Sequence, residues 1–256
     1  MDTLIKAPER KPLPLILHCG AVKVDVQELR NVKTPENTKT WYPLPHHELV
    51  ENTRRCLTTD GIEIVDEVHA LTRDGDRYFG IMAVRNPRAQ VHQDYEWMVA
   101  LRNANDRAFS AGLAFGSRVF TCDNLAFSGE IMIARKHTRH AALDLPRLIT
   151  RAAGDLNASW IGMDNRIQQY KDREITDTLA HDTIIRALDA KVICGQDVKH
   201  VLQEWRHPSH EAFAPRTAWS LFNAHTEVLK DTNMQDLPKR TRSLHGVIDA
   251  QIGLSA

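Results

Sequence analysis

The spacing of apolar residues changes twice along the chain and divides it into three stretches. Residues 1–45 hold no sustained period, and Pro8, Pro12, Pro14, Pro35, Pro43 and Pro45 interrupt them. Proline fixes its own φ and restrains the residue before it, so this stretch reads as an extended N-terminal arm with a short strand at residues 21–26. Between residues 46 and 59, Leu49, Thr53, Cys56 and Leu57 fall on one stripe at helical spacing, and Asp60-Gly61 supplies a stop. The period then shortens to two. Residues 62–72 and 77–85 are rich in β-branched and aromatic side chains, and Arg73-Asp74-Gly75-Asp76 between them tolerates left-handed turn geometry, which predicts a β-hairpin. A third strand is predicted at 97–102, a short helix at 106–115 ending near Gly116, and two further strands at 119–122 and 130–135.

From Leu145 the strand signal is absent. Leu148, Ala152, Leu156, Trp160, Met163, Ile167 and Tyr170 recur every three or four residues, the pattern of one long amphipathic helix. Further helices are predicted at 177–190, 197–205, 216–229 and 240–251, with breaks at His207-Pro208 and Leu237-Pro238. The fold class that follows is α+β: a mixed or antiparallel sheet with a hairpin in the front half, and an all-helical rear half packed on it. No linker separates the halves, so residues 46–256 read as one domain, sheet-bearing over 46–140 and helical over 141–256.

Composition changes this picture little. With 42% hydrophobic and 26% charged residues the chain is that of a globular protein. The formal net charge of zero excludes the globally basic balance of many nucleic-acid binders, so any such role must rest on a local patch. Cys19, Cys56, Cys122 and Cys194 form no CxxC pair, which argues against zinc-ribbon and thioredoxin-like sites. The first 14 residues lack the pattern of a secretory signal and no window is long enough to cross a bilayer. A cytoplasmic protein with reduced thiols and no membrane association is expected.

Candidate chemistry is sparse. There is no GxxxxGK[ST], GxGxxG or GxSxG motif. Cys122 beside Asp123 admits two readings: a nucleophile or ligand awaiting a histidine, or a small buried apolar residue ending a strand while Asp123 and Asn124 hold the following loop. His137/His140 and His207/His210 have i,i+3 spacing, but a strand end and Pro208 break the helical geometry that would aim them together. No metal or cofactor is expected. The segment 102–151 is locally basic: Arg102, Arg107, Arg118, Arg135, Lys136, Arg139, Arg147 and Arg151 stand against Asp106, Asp123, Glu130 and Asp144. Trp97, Phe109, Phe115, Phe120 and Phe127 interleave with these charges. Arginine forks on phosphates and aromatic faces under bases are the elements of single-strand binding. The other reading makes the aromatics core, the arginines a solvated rim, and Arg118 the partner of Asp123 or Glu130. In the rear half, Arg216, Trp219, Asn223 and Glu227 form either a polar helix face for a ligand or helix packing with caps.

The block Gly116-Ser117-Arg118-Val119-Phe120-Thr121-Cys122-Asp123-Asn124-Leu125-Ala126-Phe127-Ser128-Gly129-Glu130 resembles a motif of the phage/plasmid-like proteins grouped as domain of unknown function 932. Leu101-Arg102-Asn103, Arg135-Lys136-His137-Thr138-Arg139 and Arg216-Thr217-Ala218-Trp219-Ser220-Leu221-Phe222-Asn223-Ala224 extend the resemblance, so that Cys122, Asp123, Asn124, Arg216, Trp219 and Asn223 stand as family-motif positions. The resemblance implies residence on phages, prophages and plasmids, where neighbouring genes concern recombination or evasion of host restriction. The order of strands then helix is also similar to single-strand annealing recombinases, which form rings around a basic groove. The expectation is a non-enzymatic, homo-oligomeric protein that binds DNA, preferably single-stranded, through Arg102, Arg107, Arg118, Arg135, Lys136 and Arg139. Two alternatives stay open: a counter-defence protein that inhibits a host defence protein by direct contact, and an enzyme using Cys122, Asp123 and a histidine.

Overall fold

The computed structural model describes residues 21–87, 95–119, 125–233 and 236–254. Its centre is an open antiparallel sheet in which each strand pairs with the next: β1 (Val22–Val24), β2 (Glu63–Thr72), β3 (Arg77–Arg85), β4 (Tyr95–Ala104), β5 (Ala111–Val119) and β6 (Leu125–Arg135). Seven α-helices accompany it among the described residues: α1 (Val26–Asn31), α2 (His46–Thr59), α3 (Ala141–Asp172), α4 (Asp177–Asp189), α5 (Val198–Arg206), α6 (Ala218–Val228) and α7 (Leu237–Ile252). The expected α+β class, with helices filling the rear half, is what the chain adopts.

The hairpin turn forms as its residues require, with Asp74 at φ 54° and Gly75 at φ 96° in the left-handed region. Two expectations need correction. Residues 106–115 are not a helix; they are a turn followed by β5, all of whose residues are buried. A strand covered on both faces shows no polar alternation, so its short apolar run is indistinguishable from a buried helical segment by periodicity. In the described part of the arm, residues 21–45, the predicted strand forms as β1, but the chain then enters a helix and does not stay extended. β1 pairs with β2, and α1 follows it behind a reciprocal capping box in which Asp25 accepts from the Glu28 N–H and Glu28 accepts from the Asp25 N–H.

Register assigns the two faces of the sheet. Phe79, Arg102, Gly112 and Ala134 are successive cross-strand partners on one face, and Gly80, Leu101, Leu113 and Ile133 on the other. The second face, with Trp97 and Asn103, receives α2 and α3. Trp97 stacks on Trp160 of α3 at 5.6 Å between centroids and 17° between planes, while Tyr95 packs edge-on against Trp97 and donates to Asp164. Beyond the sheet, α3 continues into the helical half, where Tyr170 donates to Asp249 of α7 at 2.6 Å and Phe222 of α6 stacks on His245 at 4.6 Å. Along α3 the buried stripe runs through Ala141, Leu145 and Ile149; Leu148 is exposed. One connected set of buried apolar side chains runs from Leu29 to Ile248.

The first face is lined with small residues where α7 approaches β6, and Pro238 in the first turn of α7 borders a small cavity with Arg102, Gly112 and Ala134. Gly112 is required here by contact. A Cβ would sit 2.6 Å from the Ile133 carbonyl oxygen, a backbone atom of the paired strand. We expect Gly112→Ala to destabilise the fold by roughly 1–3 kcal/mol through strain between β5 and β6. Denaturant titration of the variant checks this, and a change below a few tenths of a kcal/mol contradicts the tight pairing.

Candidate nucleic-acid interface

One end of the sheet gathers the start of β3, the end of β4, the β4–β5 turn, the connection from β6 to α3 and the loop that precedes α2. A network of buried polar side chains joins these segments. Asn103, at the end of β4, donates through Nδ2 to the Leu44 carbonyl at 2.7 Å and to His46 Nδ1 at 2.9 Å. Its Oδ1 accepts from His137 Nε2 at 2.7 Å. His46, in the first turn of α2, donates through Nε2 to the Gly75 carbonyl at 2.8 Å. Accepting at Nδ1 and donating at Nε2 fixes His46 as the neutral Nε2–H tautomer, and His137 carries a proton on the Nε2 that faces Asn103. Burial holds His46 at about 4 against its ordinary 6.5, with His137 nearby acting in the same direction, and burial also lowers His137.

A second polar chain continues across the sheet. The buried Tyr78 hydroxyl donates to His69 Nδ1 at 2.9 Å, and His69 Nε2 lies 3.7 Å from Glu67, beyond hydrogen-bond length. Burial raises Glu67, but His69 and the bidentate Arg54 outweigh it and hold the carboxyl at about 2. Tyr78 is fully buried and His69 nearly so, so this chain orients β2 and β3 without offering a reactive surface.

The basic residues predicted to touch phosphate are sorted by this end of the fold. Arg107 adopts φ 65° in the β4–β5 turn, and its exposed guanidinium lies over the Trp41 ring at 4.7 Å. Lys136 and Arg139 follow β6 and are exposed. Arg135 pairs with Asp144. Arg102 is half-buried over Phe109 at 5.6 Å, and burial lowers its pKa. Arg118 has no exposed surface and pairs with Glu96 at 3.1 Å across β4 and β5. It is therefore corrected out of the phosphate-contacting set, because a buried guanidinium freed from its carboxylate would be left uncompensated. Acids share this end: Asp74 and Asp76 are exposed, and Asp106 pairs with Arg77 at 2.8 Å.

The other predicted positions separate. Cys122, Asp123 and Asn124 lie outside the described residues. Arg216 reaches the Trp205 carbonyl and lies over the Trp205 ring at 4.7 Å. Trp219 stacks on Phe222, and Asn223 is buried and donates to the Trp219 carbonyl at 2.9 Å. These residues tie α5 to α6, far along the chain from the sheet end. Among the described residues no group of three His, Cys, Asp or Glu side chains converges. Trp41 and Asn105 were not singled out by sequence, while Asn103 entered only within the Leu101-Arg102-Asn103 motif block and His46 only as the start of a predicted helix.

The buried histidines make stability pH-dependent with a definite sign. Unfolded, His46 takes up a proton near pH 6.5, whereas folded it does so only at about 4. In that window the unfolded chain binds more protons, so stability falls as pH is lowered and is unaffected above it. His46 alone is expected to cost roughly 1–2 kcal/mol between pH 6.5 and 5. His225 and His245, held by burial at about 4 and about 3, act in the same direction. Urea unfolding across this range should show a shallower pH dependence in His46→Gln than in the wild type; equal slopes contradict a buried neutral His46.

Comparison with known proteins adds one match. No curated protein and no solved structure matches the chain. Residues 37–249 match the family described as "Domain of unknown function (DUF932)", a span that takes in β2 to β6, α2 and almost all of the helical half. The chain belongs to this family.

Proposed function

We propose that this chain binds single-stranded DNA, as a protein of mobile genetic elements acting in recombination or in protection of incoming DNA. The observation that carries the reading is the cationic cluster at one end of the sheet, in which Arg107 is held over Trp41 while Lys136 and Arg139 stand exposed on the neighbouring connection. A guanidinium supported by an aromatic ring presents both a phosphate fork and a flat face for stacking. The connection bearing Lys136 and Arg139 is anchored by the buried His137 between them, which fixes their position against the sheet. With zero net charge over the whole chain, such a surface attracts nucleic acid only locally and with modest strength.

Single strands are favoured over duplex for a physical reason. The cluster is formed by three connecting segments and presents no long helix or ribbon to enter a groove. Arg107 and Trp41 instead offer a platform suited to unstacked bases.

Fluorescence anisotropy with a labelled single-stranded oligonucleotide and its duplex, over a range of salt, tests the reading. Binding should favour the single strand and weaken as salt rises. Changing Lys136 and Arg139 together to alanine should lower affinity about tenfold at low salt and reduce the salt slope by roughly one unit. Unchanged affinity in a folded double variant, or no binding of either DNA by the wild type, overturns it; in the second case a host protein retained by the nuclease-treated chain becomes the reading to pursue.

A further inference from the structure

The same end of the sheet contains buried polar atoms that the protein itself leaves unsatisfied. Trp41 Nε1, Asn105 Oδ1 and Thr138 Oγ1 have no hydrogen-bond partner, although buried polar groups are nearly always paired. They come from three separate segments that meet here. Tyr42 N–H donates to the His137 carbonyl at 2.9 Å, the Trp41 and His137 rings lie 6.1 Å apart, and Arg107 covers the Trp41 ring. Asn105 lies two residues before Arg107 and is only 5% exposed.

The amide of Asn105 cannot be satisfied by reorientation. Its Nδ2 is 3.4 Å from His46 Nε2, which already donates to the Gly75 carbonyl, so two donors face each other. Turning the amide would bring Oδ1 to that N–H and leave Nδ2 without a partner instead. One polar atom of Asn105 remains unpaired in either orientation.

The segment beside these atoms is held unevenly. Residues 41–45 form a strap with no regular secondary structure. Its Leu44 end is anchored by the buried Leu44 side chain and by the Leu44 carbonyl, which accepts from Asn103, whereas its Trp41 end is held by the Tyr42 N–H, the hydrogen bonds between Trp41 and Thr38 and the contact of Trp41 with Arg107. The Trp41 end carries one of the unpaired atoms and adjoins the segments that carry the others, so its movement lets these donors and acceptors find partners.

We propose that the Trp41 end of the strap opens, while Leu44 stays locked to Asn103, to admit one nucleobase of a bound single strand, which stacks on Trp41 and is hydrogen-bonded by Asn105 and Thr138. This inference rests on the single-strand reading above and gives it a base-recognising site. A base offers what these atoms lack: a flat face for the ring, and adjacent donors and acceptors along one edge. An amide side chain makes paired contacts of this kind. Arg107, displaced from the ring, then takes the adjoining phosphate.

The test compares a single-stranded oligonucleotide with an abasic strand of the same length and charge, against the wild type, Asn105→Ala and Thr138→Val. The wild type should bind the base-bearing strand at least tenfold more tightly than the abasic one. Each variant should lose about three- to tenfold toward the base-bearing strand while keeping its abasic affinity and salt slope. Thr138→Val keeps the shape of the side chain, so it remains informative if Asn105→Ala folds poorly. Equal binding of the two strands by the wild type, or undiminished base preference in folded Thr138→Val, overturns the base site while leaving phosphate binding intact. No binding of either strand removes the single-strand reading itself, and the base site with it.

Discussion

The amide of Asn103 must be satisfied inside the protein, and the arrangement of the candidate interface follows from how that is done. The side chain has no exposed surface, and its three hydrogen bonds reach the Leu44 carbonyl, His46 and His137. Each partner lies on a different segment: the loop before α2, the first turn of α2, and the connection leaving β6. An unmade bond to a buried amide costs on the order of 1–3 kcal/mol, so these segments are locked to the end of β4 as a set. Arg107, Lys136 and Trp41 acquire their relative positions through that lock. The neutral state of His46 belongs to the same constraint, because protonation would turn the Nδ1 acceptor facing the Asn103 amide into a donor.

Charge along the chain and charge on the surface are different quantities in this protein. The basic run from Arg102 to Arg151 is consumed unevenly by the fold: Arg118 is spent on a buried pair with Glu96, and Arg135 is paired with Asp144. Sequence balance counts each of these as a full positive charge, while only those left exposed contribute to attraction at the surface. Aromatic residues divide in the same way. Trp97 and Phe115 are buried in the sheet and Phe109 is buried in the β4–β5 turn beneath Arg102, whereas Trp41, outside the basic run, is the half-buried ring that the exposed Arg107 covers.

The helical half has its own polar centre, in which Tyr170, Asp249 and His245 meet between α3 and α7 and Arg166 lies 3.4 Å from the Asp249 carboxylate. Lys171 on α3 lies 5.8 Å from both the Tyr95 and the Trp219 rings, so a single residue of α3 meets both the sheet and α6. The long helix is thus the common element of the two halves. A covered sheet face requires a long apolar stripe, and the same stripe, continued past the sheet, provides the surface on which the remaining helices pack.

Sequence by itself determined the elements whose chemistry is local. The hairpin at Asp74-Gly75 follows from residues that tolerate positive φ, α2 and α3 from apolar spacing of three and four, and the rear helices from the same period with proline breaks. The capping box at Asp25 and Glu28 was equally local, but the prolines around it masked a helix of six residues. Only the tertiary structure decided β5, because a strand buried on both faces has no polar side to reveal its period. It alone decided which arginines remain available, since ion pairing joins residues such as Glu96 and Arg118 that adjacent strands bring together. The candidate site was the least legible part, for Trp41, Asn105 and Thr138 are far apart in sequence and are juxtaposed only by the buried hydrogen bonds of Asn103 and His137, which no local pattern encodes.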